Sequence, residues 1–338
     1  MGDATSKRAF IAAAGTSPRA HTFAATVWDA RRRLAVNPVA FTYQRGGDVS
    51  DRPDGSTSAR VDVGAVPVRF RLVPRRKAFD VVAASAIGRR RLPLWLAGRI
   101  RVDRNGPVTA TSVDGGIPGF DASASARRAV VSVRSIVPGA GDLLTVIAPR
   151  KASTTAAILG RKPSSIARVA AITTRVDGQP TIVLNPPLFG SMDDRARQVV
   201  MTHEATHVLS GVVGHMVDAW VAEGFADYVA LHDDHAPLAV SAGQALSGVR
   251  KHGAPKSLPS DRDFDESTHG LNAVYESAWM VFRMLGHDFG DAAVVGFYRD
   301  VVSGQQTEVA AQRRFGMTIA QITDAWRAYL TKSASTVS

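Results

Sequence analysis

After residue 186 the hydrophobic pattern of the chain is helical almost to its end, and this feature constrains the fold most. Before residue 186, short apolar or alternating runs rich in β-branched residues are bounded by Gly, Pro, Asp and Ser clusters, as is typical of strands and turns. Afterwards apolar residues recur at helical spacing, which predicts helices over 193–210, 218–231, 271–287, 289–302 and 318–332. A small sheet followed by a helical block predicts an α+β fold.

The early part of the chain divides further at a glycine-rich segment. Before it, the patterns predict a helix over 23–36, strands over 38–46, 59–73 and 78–88, and a hairpin over 98–113. The sequence DGGIPG at 114–119 is typical of a linker. We therefore predict a basic helix-plus-curved-sheet module over 1–117 and a second domain over 118–338. That domain opens with a helix over 124–136, a strand over 143–149, a helix near 152–160 and strands over 167–175 and 180–186.

Charge and composition narrow the classes of partner. Residues 1–162 hold 27 of the 41 basic side chains and 11 of the 30 acidic ones, so this half is strongly basic. A basic half can bind nucleic acid, an anionic membrane or an anionic envelope surface, and the alternative is an arginine-rich surface without a partner. Nucleic acid is less favoured because no aromatic-interleaved motif accompanies the arginine runs. Without cysteine, any zinc site has to use His, Asp and Glu. No apolar run reaches the roughly 18 residues of a membrane span, so we predict no transmembrane segment.

The pentapeptide HEATH at 203–207 carries the strongest chemical signal of the helical block. His203 and His207 are four residues apart, so on an α-helix both imidazoles leave the same face one turn apart. Two rings so placed can bind one ion about 2 Å from each nitrogen. Glu204 lies one step round the helix, where it reaches a water on the metal without binding the metal. The alternative is a helix that carries these residues by chance.

The next predicted helix carries a further pair of acids. The chain has five glutamates, and none precedes Glu204. In the amphipathic segment WVAEGFADYVAL (220–231), Glu223 and Asp227 are four apart and share one face. If this helix packs beside the HEATH helix, Glu223 supplies a third ligand and Asp227 accepts the other ring N–H of a ligating histidine. The alternative is a helix with two solvated acids.

These motifs resemble those of the gluzincin zinc metallopeptidases, which carry HExxH on one helix and E-x-x-x-D on the next. More narrowly, the run from ITTRVDGQPTIVLNPPLF through VMTHEATHVL and WVAEGFADYVAL to YESAWMVFRML resembles the peptidase-MA-like domains of actinobacterial cell-envelope proteins. The resemblance covers residues 121–333, and residues 1–115 resemble the NTF2-like or cystatin-like modules that precede such domains. It implies a zincin-like domain with one zinc ion per chain, a peptide or protein substrate, and a location outside the cytoplasm.

The resemblance also implies roles for single side chains. Glu204 would be the general base, and Tyr275 would donate to the oxyanion, since gluzincins carry a downstream tyrosine in this role. The strand TIVLNP has the Pro stop of an edge strand, which in gluzincins pairs with extended substrate, and Asn185 would contact the substrate backbone. The alternatives are a buried tyrosine bonded to backbone and an asparagine that caps a turn. His252 and His269 are further candidates for the oxyanion donor.

Two departures from the family leave the function open. The 15 residues between His207 and Glu223 are fewer than is usual in related groups, and the Gly-x-Met-Glu-Asn motif of aminopeptidases is impossible because no glutamate precedes Glu204. We predict a zinc-dependent peptidase, specifically an endopeptidase, with two alternatives: a zinc-binding scaffold of the cell envelope that hydrolyses little, and a basic envelope-polymer or nucleic-acid binder whose HEATH is incidental. The segment KRAFIAAAG is too weakly apolar for a signal-peptide core, so we expect the chain to be cytoplasmic or supplied without its leader.

Overall fold

The structure is a computed structural model that describes residues 6–36, 41–43, 50–76, 78–265 and 270–337. In these residues the α-helices are α1 Lys7–Ala13, α2 Pro18–Arg33, α3 Ala122–Ile136, α4 Ala152–Leu159, α5 Pro186–Ser191, α6 Asp194–Leu209, α7 Ala219–Ala230, α8 Leu238–Ser241, α9 Gly243–His252, α10 Leu271–Phe289, α11 Asp291–Val302, α12 Thr307–Phe315 and α13 Ile319–Thr336. The strands are β1 Phe41–Tyr43, β2 Ser50–Asp51, β3 Thr57–Val63, β4 Val66–Pro74, β5 Phe79–Ala86, β6 Ile100–Asn105, β7 Val108–Val113, β8 Leu144–Pro149, β9 Ala171–Val176 and β10 Gln179–Leu184. The predicted α+β class is confirmed.

The strands form two sheets. The first is antiparallel, with the order β1-β3-β4-β5 and β2 paired to β3. The second has the order β6-β7-β8-β10-β9. The predicted hairpin over 98–113 is confirmed as β6 and β7, while residues 38–40 and 44–46 of the first predicted strand lie outside the described residues.

The chain divides into two compact units. The first comprises Met1–Ser123, Thr145–Ile172 and Val183–Ser191. The second comprises Ala124–Leu144, Thr173–Ile182 and Met192–Ser338. The predicted domain boundary between residues 117 and 118 stays a prediction.

The first unit contains the predicted helix-plus-curved-sheet arrangement. Helix α2 begins at Pro18 rather than at residue 23, because the Ser17 side chain accepts a hydrogen bond from the first turn and Pro18 suits the first helical position. Its buried face of small side chains packs against β5. A register shift between Arg71 and Leu72 in β4 marks an irregularity of the kind that bends a sheet.

The position of the strand TIVLNP differs from the prediction. Strand β10 pairs with β8 on one side and β9 on the other, so the prediction of an edge strand there is wrong. Its apolar residues Ile182, Val183 and Leu184 are fully buried, as expected of an inner strand. The edge is β9, which joins β10 through a two-residue turn at Asp177 and Gly178, both with positive φ as such tight hairpins require.

The helical block of the second unit follows the prediction closely. Helices α6, α7, α10, α11 and α13 overlap the five predicted helices. Helix α6 begins where the Asp193 side chain accepts a hydrogen bond from the Ala196 N–H at 2.7 Å. Helices α8, α9 and α12 were not predicted. In the described residues, none of the helices combines the length and apolar content of a membrane span.

Helix α7 is held against α10 at a glycine. A Cβ on Gly224 would lie 2.7 Å from the Ala278 carbonyl oxygen and 2.8 Å from the Phe282 ring, so only glycine allows this approach. Beside this contact, Phe225 stacks on Tyr298 with ring centroids 3.8 Å apart, and it meets Phe282 edge-on. This aromatic layer fixes the side of α7 that faces away from its acidic residues.

We expect Gly224→Ala to lower the free energy of unfolding by about 1–3 kcal/mol, because the added methyl group forces α7 and α10 apart. Chemical denaturation followed by circular dichroism measures the change. Gly248→Ala is the matched control: a Cβ there meets nothing within 4 Å, so the replacement should be neutral or stabilising within helix α9. Equal stability of Gly224→Ala and wild type would contradict the packing described here.

Candidate metal centre

Helix α6 presents two imidazoles to the same point. The buried face of α6 carries Met201, Ala205 and Leu209, and the histidines leave from a different side of the helix. The rings of His203 and His207 lie 4.8 Å apart between centroids, and their Nε2 atoms are 3.1 Å apart. Each histidine side chain is 12% exposed. The four-residue spacing therefore produces the shared face that the sequence predicts.

Helix α7 brings a carboxylate to the same point. Oε2 of Glu223 lies 3.0 Å from Nε2 of His203 and 3.3 Å from Nε2 of His207. Ligand atoms of a tetrahedral zinc ion with bonds of 2.0–2.1 Å are about 3.3 Å apart. The three atoms therefore form a triangle of the size that one face of such a site needs. Among the described residues, this is the one group of three that comes together in this way.

Asp227 determines which nitrogen of His203 is free to bind a metal ion. Oδ1 of Asp227 lies 2.7 Å from Nδ1 of His203. A carboxylate is an acceptor, so Nδ1 carries the proton and donates it, which leaves a lone pair on Nε2 in the neutral ring. That lone pair faces the carboxylate oxygen of Glu223 and the second imidazole. A cation can bind three converging nitrogen and oxygen atoms that each offer a lone pair, so this set of ligand atoms fits zinc.

The electrostatics of the cluster favour a positive charge at its centre. Burial lowers the pKa of the His203 imidazole, but the charges and hydrogen bonds of Asp227 and Glu223 outweigh it and hold that pKa well above its usual value. Burial raises the pKa of the Glu223 carboxyl, yet His207 and His203 outweigh that effect and hold it well below its usual range. Two carboxylates beside two imidazoles thus attract a cation.

Helix α10 places Tyr275 close to this cluster. The Tyr275 ring centroid lies 6.1 Å from that of His203, and Phe264 packs on its other side at 5.2 Å. The tyrosine is half-buried. The structure therefore brings Tyr275 beside the cluster, and its role as oxyanion donor stays a prediction.

Glu204 has a partner that the sequence did not identify. Its Oε2 accepts a hydrogen bond from Oγ1 of Thr173 in β9 at 2.5 Å. The segment AITTRV is rich in the β-branched residues of a strand, but the sequence alone does not show which threonine faces α6. The contact links the predicted general base to the edge strand.

Asn185 is buried, whereas a side chain that contacts substrate has to be accessible. Its side chain is 1% exposed, and its Nδ2 donates to the carbonyl oxygens of Ile166 and Val169 at 2.7 and 2.8 Å. These bonds hold the chain before β9 to the end of β10, as expected of the structural alternative for this asparagine. Its role in substrate binding stays a prediction. His252 is exposed at the end of α9, and His269 lies outside the described residues.

Comparisons with known proteins give a distant likeness. No family model matches the chain, and no curated protein matches it. An M1 zinc metallopeptidase from Deinococcus radiodurans is 12% identical, with a TM-score of 0.41, over 87% of this chain and 69% of that one. A mutant of that metallopeptidase bound to a Tyr-Ser-Ala substrate gives 12% identity and a TM-score of 0.40, over 86% and 61%. The chain therefore spans about three fifths of that neighbour's length. At this distance the likeness assigns no family.

We expect Asp227→Asn to weaken zinc binding by about 10–100-fold, because the replaced side chain no longer holds His203 in its ligating tautomer with a charged acceptor. Competition with a chelator of known zinc affinity measures the change. Asp194→Asn removes the same charge from a fully exposed position at the start of α6 and should leave the affinity unchanged. Equal affinities for Asp227→Asn and wild type would contradict the role given to Asp227.

Proposed function

We propose that this protein is a zinc-dependent peptidase, and specifically an endopeptidase. The observation that carries the proposal is the triangle of Nε2 of His203, Nε2 of His207 and Oε2 of Glu223, with sides of 3.0–3.3 Å, next to Glu204 on the same helix. The choice of an endopeptidase is supported by the lack of any glutamate before Glu204. Aminopeptidases of this type bind the amino group of the substrate with a glutamate upstream of the metal-binding helix.

In this proposal three side chains hold one zinc ion and a fourth orients them. His203, His207 and Glu223 are the ligands, and Asp227 fixes the ring of His203. When bound, zinc supplies Lewis-acid chemistry and lowers the pKa of a water molecule to about 7. The cluster is partly exposed, since Glu223 is 23% accessible, so a substrate can approach it.

Glu204 serves as the proton carrier. It follows His203 by one residue, so its side chain points about 100° further round α6 and reaches beside the cluster rather than into it. Its carboxylate takes the proton of the attacking water, and it then gives that proton to the amine nitrogen as the peptide bond breaks. Tyr275, from α10, donates its phenolic hydrogen to the substrate carbonyl oxygen as negative charge develops there.

The partner and location are parts of the same proposal. The substrate is a peptide or protein of the cell envelope, and the basic half of the chain contacts an anionic surface there. Support comes from the resemblance of the motifs to envelope proteins and from the 27 basic side chains among residues 1–162. The division into a basic N-terminal module over 1–117 and a peptidase domain over 118–338 belongs to this proposal.

We expect Glu204→Gln to keep one zinc per chain and to lower peptide cleavage by about 10²–10⁴-fold, because the amide cannot carry the proton. Zinc is measured by atomic spectroscopy after purification without chelator, and cleavage with internally quenched peptides whose N-termini are blocked. Glu308→Gln makes the same change on the exposed side of α12 and should retain full activity.

The outcomes of that experiment separate the alternatives. Zinc without cleavage on a broad peptide library would favour the envelope scaffold that hydrolyses little. Wild-type protein without zinc would overturn both the peptidase and the scaffold, and it would favour a basic binding protein in which HEATH is incidental. Cleavage of peptides with free N-termini alone would replace the endopeptidase by an aminopeptidase.

We expect Tyr275→Phe to lower kcat by about 10–10³-fold with little change in KM or zinc content, since the lost hydroxyl acts on charge that develops in the transition state. Steady-state kinetics on a blocked peptide measure both constants. Tyr329→Phe removes a hydroxyl from α13 and serves as the matched control. A Tyr275→Phe enzyme with wild-type kcat would assign the oxyanion contact to another donor.

A further inference from the structure

Strand β9 approaches α6 and the chain that follows it through alternate side chains. Thr173 and Arg175 are two residues apart, so both leave the same face of the strand. Oγ1 of Thr173 lies 2.5 Å from Oε2 of Glu204, and Nη2 of Arg175 donates to the carbonyl oxygen of Val213 at 3.2 Å. Strand β9 is therefore hydrogen-bonded both to α6, which carries HEATH, and to the segment that follows α6.

The contact at Glu204 has a clear direction. An ionised carboxylate only accepts, so the Thr173 hydroxyl donates its single proton to Oε2. The Glu204 carbonyl oxygen lies farther from Oγ1, at 3.4 Å, and is the weaker acceptor. An O–H···O⁻ bond of 2.5–2.7 Å belongs to the strong, charge-assisted class. In the described part of the chain, this bond engages Oε2 and leaves Oε1 as the oxygen that can meet a water molecule.

The bond restrains a side chain that would otherwise be mobile. Helix α6 determines where the Glu204 Cβ points, but a glutamate has three further rotatable bonds before its carboxylate. Unrestrained, a carboxylate beside a cation can turn to bind it and so stop acting as a base. We infer that Thr173 is a positioning residue that holds the Glu204 carboxylate by Oε2 and presents Oε1 to the attacking water. This inference rests on the proposed peptidase function.

The first test removes the hydroxyl and keeps the shape. Thr173→Val retains the β-branched side chain that suits a strand, so its effect reports the lost donor. We expect kcat to fall about 10–100-fold, with KM within about 3-fold and zinc content unchanged. Thr173→Ser keeps the donor and should restore kcat to within about 3-fold of wild type. Thr174→Val makes the same change on the opposite face of β9 and should have little effect on kcat.

The second test does not depend on turnover. Unfolding by guanidinium chloride is measured for zinc-loaded wild type, Thr173→Val, Glu204→Ala and the double variant, which forms a double-mutant cycle. We expect the two substitutions to be non-additive, because removing either partner breaks the same bond. Additive effects would overturn the inference, whether or not the protein cleaves peptides.

The outcomes distinguish this inference from the proposed function. Cleavage by the wild type together with unchanged kcat in Thr173→Val overturns the role of Thr173 and leaves the peptidase intact. Absence of cleavage in zinc-loaded wild type overturns the peptidase and, with it, the catalytic role of Thr173. A fall in kcat that Thr173→Ser does not reverse assigns the effect to packing of β9 and also overturns the inference.

Discussion

Glu223 has to reach two imidazoles of another helix at once, and the arrangement of the second unit depends on this requirement. Its Oε2 lies 3.0 and 3.3 Å from the two Nε2 atoms, distances that demand that α7 lie close beside α6. The neighbouring residue, Gly224, lies about 100° further round α7 and allows it to contact the Ala278 carbonyl of α10. A glutamate toward one helix and a glycine toward another thus fix α7 between them, and α10 arrives with Tyr275 in reach of His203.

Two neighbouring side chains of α6 have hydrogen-bond partners on other elements of the second unit. Asp227 accepts a hydrogen bond from Nδ1 of His203, and the Thr173 hydroxyl donates a hydrogen bond to Oε2 of Glu204. These two bonds act on consecutive residues of α6. In the proposed peptidase, one bond prepares a nitrogen to bind a cation and the other holds an oxygen to receive a proton, so neighbouring positions on one helix acquire different chemistry from different neighbours.

The parts of the fold and site that the sequence predicted depend on local geometry. The approximate bounds of α6 and α7, the shared face of His203 and His207, and the shared face of Glu223 and Asp227 follow from helical spacing. The order of strands in a sheet depends on long-range pairing, and the Pro that follows β10 suggested an edge strand. The continuous apolar run of β10 was the better signal, since inner strands are buried on both faces. For the same reason Thr173 was missed: its role follows from β9 being the edge beside α6.

The hydrogen bond between Trp326 and Ser277 affects the order in which contacts form while the chain is being synthesised. Nε1 of Trp326, in α13, donates to the carbonyl oxygen of Ser277 at 3.1 Å, and its ring is completely buried. Ser277 stands two residues from Tyr275, yet its partner is 49 residues farther along the chain. A nascent chain that has left the ribosome only as far as α10 lacks this brace. The HEATH helix is therefore synthesised well before the contact that secures the neighbouring part of α10, so His203, His207 and Glu223 leave the ribosome before that part of α10 is braced.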